Sequence, residues 1–360
     1  MIKIGICFGG YCPLHRGHLD LIMKSKKTND MTFVIVCGYD GDPRGDSVGL
    51  PLIKRYRIIK NFLEDEVLKV VFINDTEIGL DESMSPSNWY RWTQEVQNKI
   101  EQLNKDDVIT WYVAEEFYKK MLEENCAFNC QVELIDRTIN PVSGTKCREN
   151  PLKYWNIITA PFRAYFSHNI LIAGTASEGK TILTRDIGKY YGIPYSYEKG
   201  RDNCALKTDP EFTVKDFMYN IYEQHKYNEE LITSAQNPGI FLSDSDNMVT
   251  LMYANYYRKR KDFAINDEEY DVLYQMTKAY RKTTKWDKIF LIQPKEKGIV
   301  DDGERYMPDS DYQIRKEFFE FLRSLYDEFE YDYEILNGNY YENYLTVRRY
   351  IDELYRKAES

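Results

Sequence analysis

Gly174-Thr175-Ala176-Ser177-Glu178-Gly179-Lys180-Thr181 reads G-x-x-x-x-G-K-T and lies near the middle of the chain. The apolar run Ile170-Leu171-Ile172-Ala173 leads into it, and a helical pattern from Ile182 to Tyr191 follows. Strand, glycine-rich turn and helix form the setting that a phosphate-binding loop requires. The glycines let several backbone N–H groups face one anion, and the helix N-terminus adds the positive end of a dipole. Gly174, Ser177, Glu178, Gly179, Lys180 and Thr181 are therefore expected to surround the phosphates of ATP. Lys180 would bring a charge to the β- and γ-phosphates, and Thr181 a hydroxyl to Mg²⁺. A phosphotransferase that begins near residue 166 leaves the residues before it for a separate domain.

The bulk properties allow two domains. The chain has 360 residues, and 43% of them are hydrophobic, enough for a core in each half. A net charge of −10 argues against broad binding to a nucleic-acid backbone. No long apolar run marks a signal peptide or a membrane span. The seven cysteines are scattered, and Cys126-x₃-Cys130 lacks a second ligand pair, so free thiols in a reducing cytoplasm are expected rather than a zinc site. The 31 tyrosines point to no function of their own.

In the first half, Ile2 to Phe8 reads as a buried strand that runs into Gly9-Gly10-Tyr11-Cys12-Pro13-Leu14 and then His15-Arg16-Gly17-His18. His15 and His18 are i and i+3, so they share a face at the start of a helix, beside a glycine turn. Two imidazoles there suit a phosphate whose charge rises in a transition state. A pair of packed histidines is the plainer alternative. Strands are expected at Thr32 to Cys37, Val67 to Ile73, Val108 to Ala114 and Gln131 to Ile135. Helices are expected at Ile53 to Leu63 and Asn88 to Leu103, and a mobile glycine-rich loop at Gly38 to Pro51. The alternation indicates a parallel sheet with helices on both faces. Further on, Ser143 can cap a helix on which Thr145 and Arg148 are i and i+3, so both reach one phosphate. Arg148 offers a fork of donors that lysine would not.

Gly9 to His18 resembles the G-x-F-x-P-x-H-x-G-H signature of the nucleotidyltransferase superfamily, with Tyr11 at the aromatic position. Ser143-Gly144-Thr145-Lys146-Cys147-Arg148 resembles its late S-x-T-x-x-R signature. The run from Arg148 to Trp155 narrows the likeness, since it is similar to the R-x-x-P-x-x-Y-W segment of NadR-type bifunctional enzymes. Asp136-Arg137-Thr138 also resembles that family. The likeness covers nearly the whole chain, in order. It implies nicotinamide-nucleotide adenylyltransferase followed by ribosylnicotinamide kinase, with Mg²⁺ and with ATP as co-substrate. It also implies nicotinamide riboside, nicotinamide mononucleotide (NMN) and NAD as ligands. Trp89 or Trp92 then becomes a candidate to stack on the nicotinamide ring, with packing on the helix face as the equal alternative.

In the second half, Tyr195 to Arg201 resembles the family's Y-E-x-x-R run and puts forward Glu198 and Arg201 for the riboside pocket. Gly239 to Asp246 is an apolar strand ending in two carboxylates, matching the family's D-x-D. Asp244 is expected to hold Mg²⁺ or accept a hydroxyl proton, with Asp246 supporting it or capping the next helix. Gly298 to Arg305 resembles a D-D-G-x-R lid, which would bring Arg305 over the transferring phosphoryl group.

The expected architecture is α/β, with two doubly wound parallel-sheet domains. Residues 1–165 would form a Rossmann-like nucleotidyltransferase, and 166–360 a P-loop kinase. Pro151 to His168, rich in aromatic residues, should pack rather than act as a tether. Gly9, Gly10, Ser143 and Thr145 would bind the phosphates of the first site, and His15, His18 and Arg148 would carry its chemistry. Lys180, Asp244 and Arg305 would carry that of the second. Because the first strand starts at Ile2, no helix-turn-helix and no DNA binding are expected. The sequence leaves two other readings open: the same folds acting on another nucleoside and its nucleotide, or a sensor that binds ATP or NAD without turnover. It does not fix the oligomeric state.

Overall fold

The computed structural model describes residues 2–81, 85–100, 106–135, 142–204, 212–260, 265–296 and 312–359. The chain divides into two compact units, Met1–Phe166 and Ser167–Ser360. Each is built on its own five-stranded parallel sheet.

In the N-terminal unit the strands are β1 (Lys3–Gly9), β2 (Met31–Gly38), β3 (Leu68–Asn74), β4 (Val108–Val113) and β5 (Gln131–Leu134). They lie in the order β3-β2-β1-β4-β5. The helices are α1 (Arg16–Thr28), α2 (Pro43–Asp46), α3 (Leu52–Leu63), α4 (Pro86–Lys99), α5 (Glu116–Asn125), α6 (Gly144–Glu149) and α7 (Ala160–Arg163). The central strands are apolar on both faces because helices cover both. One face carries Leu14, Ile22, Val34, Val36, Ile59 and Phe162, and the other Ile4, Ile6, Ile35, Trp92, Val96 and Trp111. The chain winds outward from β1 to β3, then returns to β4 on the other side of β1. That reversal leaves a crevice at the C-terminal ends of β1 and β4, where ligands of such sheets bind.

One expectation changes here. The stretch Gly38 to Pro51 is not a free loop. Asp42 caps α2 by accepting from Arg44 N at 3.1 Å, and its carboxylate, 1% exposed, is held by the guanidiniums of Arg44 and Arg55. The segment after Pro151 packs as expected, and it puts Trp155, Ile158, Phe162 and Phe166 into the core of this unit.

In the C-terminal unit the strands are β6 (His168–Gly174), β7 (Tyr195–Ser196), β8 (Ile240–Ser243), β9 (Lys288–Ile292) and β10 (Glu334–Leu336), in the order β10-β9-β6-β8-β7. The helices are α8 (Lys180–Tyr191), α9 (Gly200–Cys204), α10 (Val214–Thr233), α11 (Asn247–Arg258), α12 (Asp267–Arg281), α13 (Tyr312–Glu328) and α14 (Tyr340–Glu359). Leu171, Ala173, Ile221, Val249, Leu251, Leu273, Ile289 and Leu322 form the core of one layer. Tyrosines 253, 256, 257, 270, 274, 280, 331 and 333 pack around that core, which accounts for part of the tyrosine content. Among the described residues no helix is long and apolar enough to cross a membrane.

Candidate functional site

The first site lies in the crevice between β1 and β4, a cavity of about 230 Å³. Phe8, Gly9 and Gly10 bring the β1 end into its wall, Tyr112 and Val113 the β4 end, and His15, His18, Ser143, Thr145 and Arg148 the two motifs. The sheet reversal thus brings residues more than a hundred positions apart to one place.

His15 is the N-cap of α1, in an extended conformation at φ −132° and ψ 168°. Its ring stacks on that of His18 with centroids 3.7 Å apart. The backbone N–H of His15 donates to His18 Nδ1 at 3.4 Å, so a neutral His18 carries its proton on Nε2 as a donor. The chain returns at residues 157–159 to brace this turn. Arg16 N donates to Ile157 O at 2.9 Å, and the Thr159 hydroxyl donates to Leu14 O at 2.9 Å. The segment after the late motif therefore holds the first motif in shape. Tyr11 bears a φ of +43°, unusual for a side chain other than glycine, and sets its ring edge-on to His18 with centroids 5.0 Å apart.

Ser143 caps α6, accepting from Lys146 N at 3.3 Å as expected of it. Arg148 donates Nη1–H to Cys12 O at 2.5 Å and Nη2–H to the Thr145 hydroxyl at 3.1 Å, which ties the late motif to the first turn. Gly144 permits this closeness, since a Cβ there would stand 3.0 Å from Cys12 O.

Two further arginines enter the same wall, Arg44 and Arg55. Arg55, fully buried, donates to Gly10 O at 2.6 Å and to Asp42 Oδ2 at 3.0 Å. Burial pushes the Asp42 carboxyl up, but the hydrogen bonds and charge of Arg44, with the charge of Arg55, bring it below the usual carboxylate range. Asp42 is thus a fixed anion that holds two cations at the glycine turn. Asp42, Arg44 and Arg55 belong to none of the motifs named from the sequence. The run D-P-R-G-D inside a glycine-rich loop was the available signal.

Trp89 and Trp92 are each 7% exposed and belong to an aromatic cluster with Phe8, Trp111 and Tyr118. Phe8 and Tyr118 line the crevice, and the two tryptophans stand behind them. Of the two alternatives for these residues, packing is the arrangement this structure contains.

The second site is the loop between β6 and α8. Gly174 has φ +150°, and a Cβ there would stand 2.9 Å from Ile292 O, so only glycine lets the loop start this close to β9. Ser177 at φ +61° and Gly179 at φ +79° turn the chain back into α8. Lys180, 4% exposed, donates to Thr175 O at 2.7 Å. Thr181 donates its hydroxyl to Asp244 Oδ2 at 2.5 Å and accepts from Arg201 Nη2 at 3.3 Å. Lys180, Thr181, Arg201 and Asp244 therefore meet at the ends of β6 and β8. Asp244 is 1% exposed, and its Oδ1 has no hydrogen-bond partner among the described residues. Burial raises its carboxyl from 3.8 to about 6, against the lowering effects of Thr181, Lys180 and Arg201. A buried, half-satisfied carboxylate beside a threonine hydroxyl is a hard-oxygen donor set that fits Mg²⁺.

Glu198 and Arg201 are presented by a loop that α10 clamps. Gln224 accepts from Lys199 N at 2.8 Å, and its amide donates to Asn228 Oδ1 at 3.1 Å. Asn228 Oδ1 also accepts from the Ser196 hydroxyl at 2.6 Å. Neither Gln224 nor Asn228 belongs to a motif named from the sequence. His225 contacts the Thr284 hydroxyl at 3.2 Å and packs on Tyr280.

Of the two alternatives for Asp246, this structure contains the helix cap. Asp246 is the N-cap of α11: its Oδ1 accepts from Met248 N at 3.0 Å, Val249 N at 3.4 Å and the Tyr326 hydroxyl at 3.0 Å. It is committed to the helix start rather than to substrate. The Glu178 side chain pairs with Arg315 of α13. Arg305, and with it the D-D-G-x-R segment and Asp136 to Thr138, lies outside the described residues.

Residues 169–343 match the family model described as AAA domain. The chain is 28% identical over 209 residues to the "Trifunctional NAD biosynthesis/regulator protein NadR" of Salmonella typhimurium (strain LT2), covering 56% of this chain and 49% of that protein. It is 26% identical over 210 residues to the Escherichia coli (strain K12) protein of the same name, covering 55% and 49%. The chain thus aligns with about half the length of the curated relatives it matches. Two solved structures cover both units. A NadR protein in complex with NR superposes with a TM-score of 0.81 at 29% identity, over 97% of this chain and 96% of that one. A NadR protein in complex with NAD and AMP-PNP does so with the same score and identity, over 100% and 97%. Over both parallel-sheet units the chain is thus similar in sequence and fold to NadR proteins.

Proposed function

We propose that this chain makes NAD in two steps, each using ATP. The C-terminal unit phosphorylates nicotinamide riboside at its 5′-hydroxyl, and the N-terminal unit joins the resulting mononucleotide to AMP. The observation that carries the reading is the pair of phosphate sites on one chain. His15, His18 and Arg148 converge on one crevice, and Lys180, Thr181 and Asp244 on the other. The NadR structures with NR, and with NAD and AMP-PNP, support it through their likeness over both units.

In the second site the riboside oxygen attacks the γ-phosphorus, the bond to the β-bridging oxygen breaks, and ADP leaves. Asp244, ionised above about pH 6, orients the hydroxyl and takes its proton. Lys180 compensates the charge on the transferring group, joined by Arg305 from the lid motif. Thr181 and Asp244 would hold Mg²⁺, which when bound neutralises phosphate charge. Glu198 and Arg201 contact the ribose, on the loop that Gln224 fixes. In the first site a phosphate oxygen of the mononucleotide attacks the α-phosphorus of ATP and pyrophosphate leaves. His18 Nε2–H, His15, Arg148 and Arg44 meet the developing charge, and the backbone of Gly9, Gly10, Ser143 and Thr145 positions the triphosphate. No covalent intermediate is required. Cys7, Cys12, Cys37, Cys126, Cys130 and Cys147 are free thiols, which suits a reducing cytoplasm.

The test is incubation of the purified chain with Mg²⁺-ATP and NMN. NAD and pyrophosphate should form in equal amounts. Consumption of ATP without NAD would overturn the assignment of the first site.

A further inference from the structure

Glu178 places a carboxylate inside a loop whose proposed ligand is a polyphosphate. Unpaired, it would repel that ligand, and strongly, because few water molecules screen a buried charge. The structure pairs it with Arg315. The Arg315 guanidinium, 1% exposed, donates Nη1–H to Glu178 Oε1, whose side chain is 6% exposed. It donates Nη2–H to Lys295 O at 2.8 Å, just beyond β9. Burial pushes the Glu178 carboxyl up, and the charges of Arg315 and Lys180 oppose that shift.

We propose that Arg315 is a positioning residue of the kinase half: by neutralising Glu178 and tying the loop to Lys295, it leaves Lys180 as the charge that ATP meets. Neither the phosphate-loop motif nor the carboxylate motif contains this arginine. It enters from α13, more than a hundred residues downstream of Glu178. The role differs from that of a phosphate-binding arginine. Arg315 is needed because Glu178 is present, so removal of Glu178 should remove the need. The inference rests on the reading that Gly174 to Thr181 holds the phosphates of ATP.

The test measures ADP formation from nicotinamide riboside at varied Mg²⁺-ATP in Arg315→Gln and in the double variant Arg315→Gln/Glu178→Gln. Calorimetric unfolding reports that the C-terminal unit of each variant is folded, and NAD formation from NMN, which uses the other unit, should stay at the wild-type rate. Arg315→Gln should raise KM for ATP about tenfold or more, with KM for the riboside changed far less. The double variant should return KM for ATP to within about threefold of wild type. An unchanged KM in Arg315→Gln overturns the proposal. So does a double variant as impaired as the single one, because Arg315 would then serve the nucleotide or the fold directly. Should the wild-type protein form no ADP from riboside while still making NAD from NMN, the kinase reading itself fails and this inference falls with it.

Discussion

Asp244→Asn is predicted to stabilise the C-terminal unit while abolishing riboside phosphorylation. The carboxyl titrates near 3.8 when unfolded and near 6 in the folded protein, with burial as the main cause. A raised folded value means that the folded state holds its proton longer than the unfolded one. Stability attached to this group is therefore greatest at low pH and is lost as pH rises from about 4 to about 6. At about 1.4 kcal/mol per pH unit, the loss at neutral pH is about 3 kcal/mol. Asparagine has no charge to bury, and its carbonyl oxygen can still accept the Thr181 hydroxyl. Its amide would occupy the place where Asp244 Oδ1 has no partner among the described residues, and an unsatisfied buried donor costs about 1–2 kcal/mol. The net gain is about 1–2 kcal/mol at pH 7.5, or a rise in Tm of about 3–6 °C for a unit of this size. Asp246, also raised to about 6, titrates in both proteins and cancels in the comparison. Calorimetric unfolding at pH 4 and 7.5 checks the stability, and ADP release checks the activity, expected to fall about a hundredfold or more. An Asn variant that is less stable than wild type at pH 7.5, or more stable by the same amount at both pH values, would refute the reasoning.

Three further outcomes follow from particular contacts. Arg148→Lys loses the fork that joins Cys12 O and Thr145, so NAD formation from NMN should fall about a hundredfold while ADP formation from riboside stays at the wild-type rate. Arg55→Leu leaves Asp42 buried without one of its two cations and Gly10 O without its donor, and should destabilise the N-terminal unit by about 3 kcal/mol or more in urea unfolding. Gln224→Ala removes the clamp on Lys199 N, and steady-state kinetics should show KM for riboside rising about tenfold, with KM for ATP nearly unchanged.

Much of this was legible in the sequence because the decisive residues sit in short local patterns. The apolar run before Gly174 becomes β6 and the residues after Gly179 become α8, so the loop between them had one plausible conformation. His15 and His18 share a face because they are three apart on a helix, and Ser143 caps α6 because its hydroxyl reaches Lys146 N. The residues that were missed act across long separations. Arg55 reaches Gly10, Arg315 reaches Glu178, and Gln224 reaches Lys199. No local pattern announces which surface-type residue the fold will bury. Asp244 and Asp246 show the same limit at short range. Two positions apart on one strand end, one opens toward Thr181 and the other closes on the amides of α11, a difference set by where the helix begins. The glycines of residues 38–51 suggested mobility, but three charged side chains, one of them fully buried, hold that stretch in place.

The central claim is that two different sites on one chain act in sequence, and one comparison tests it most directly. Wild-type protein and His18→Ala protein are each given Mg²⁺-ATP and nicotinamide riboside alone, and the nucleotides are separated by chromatography. The wild type should yield NAD, while the variant should accumulate NMN at the wild-type rate of ADP release and yield little NAD. NAD forming at the same rate in both proteins, or no NMN and no NAD in either, would contradict the account.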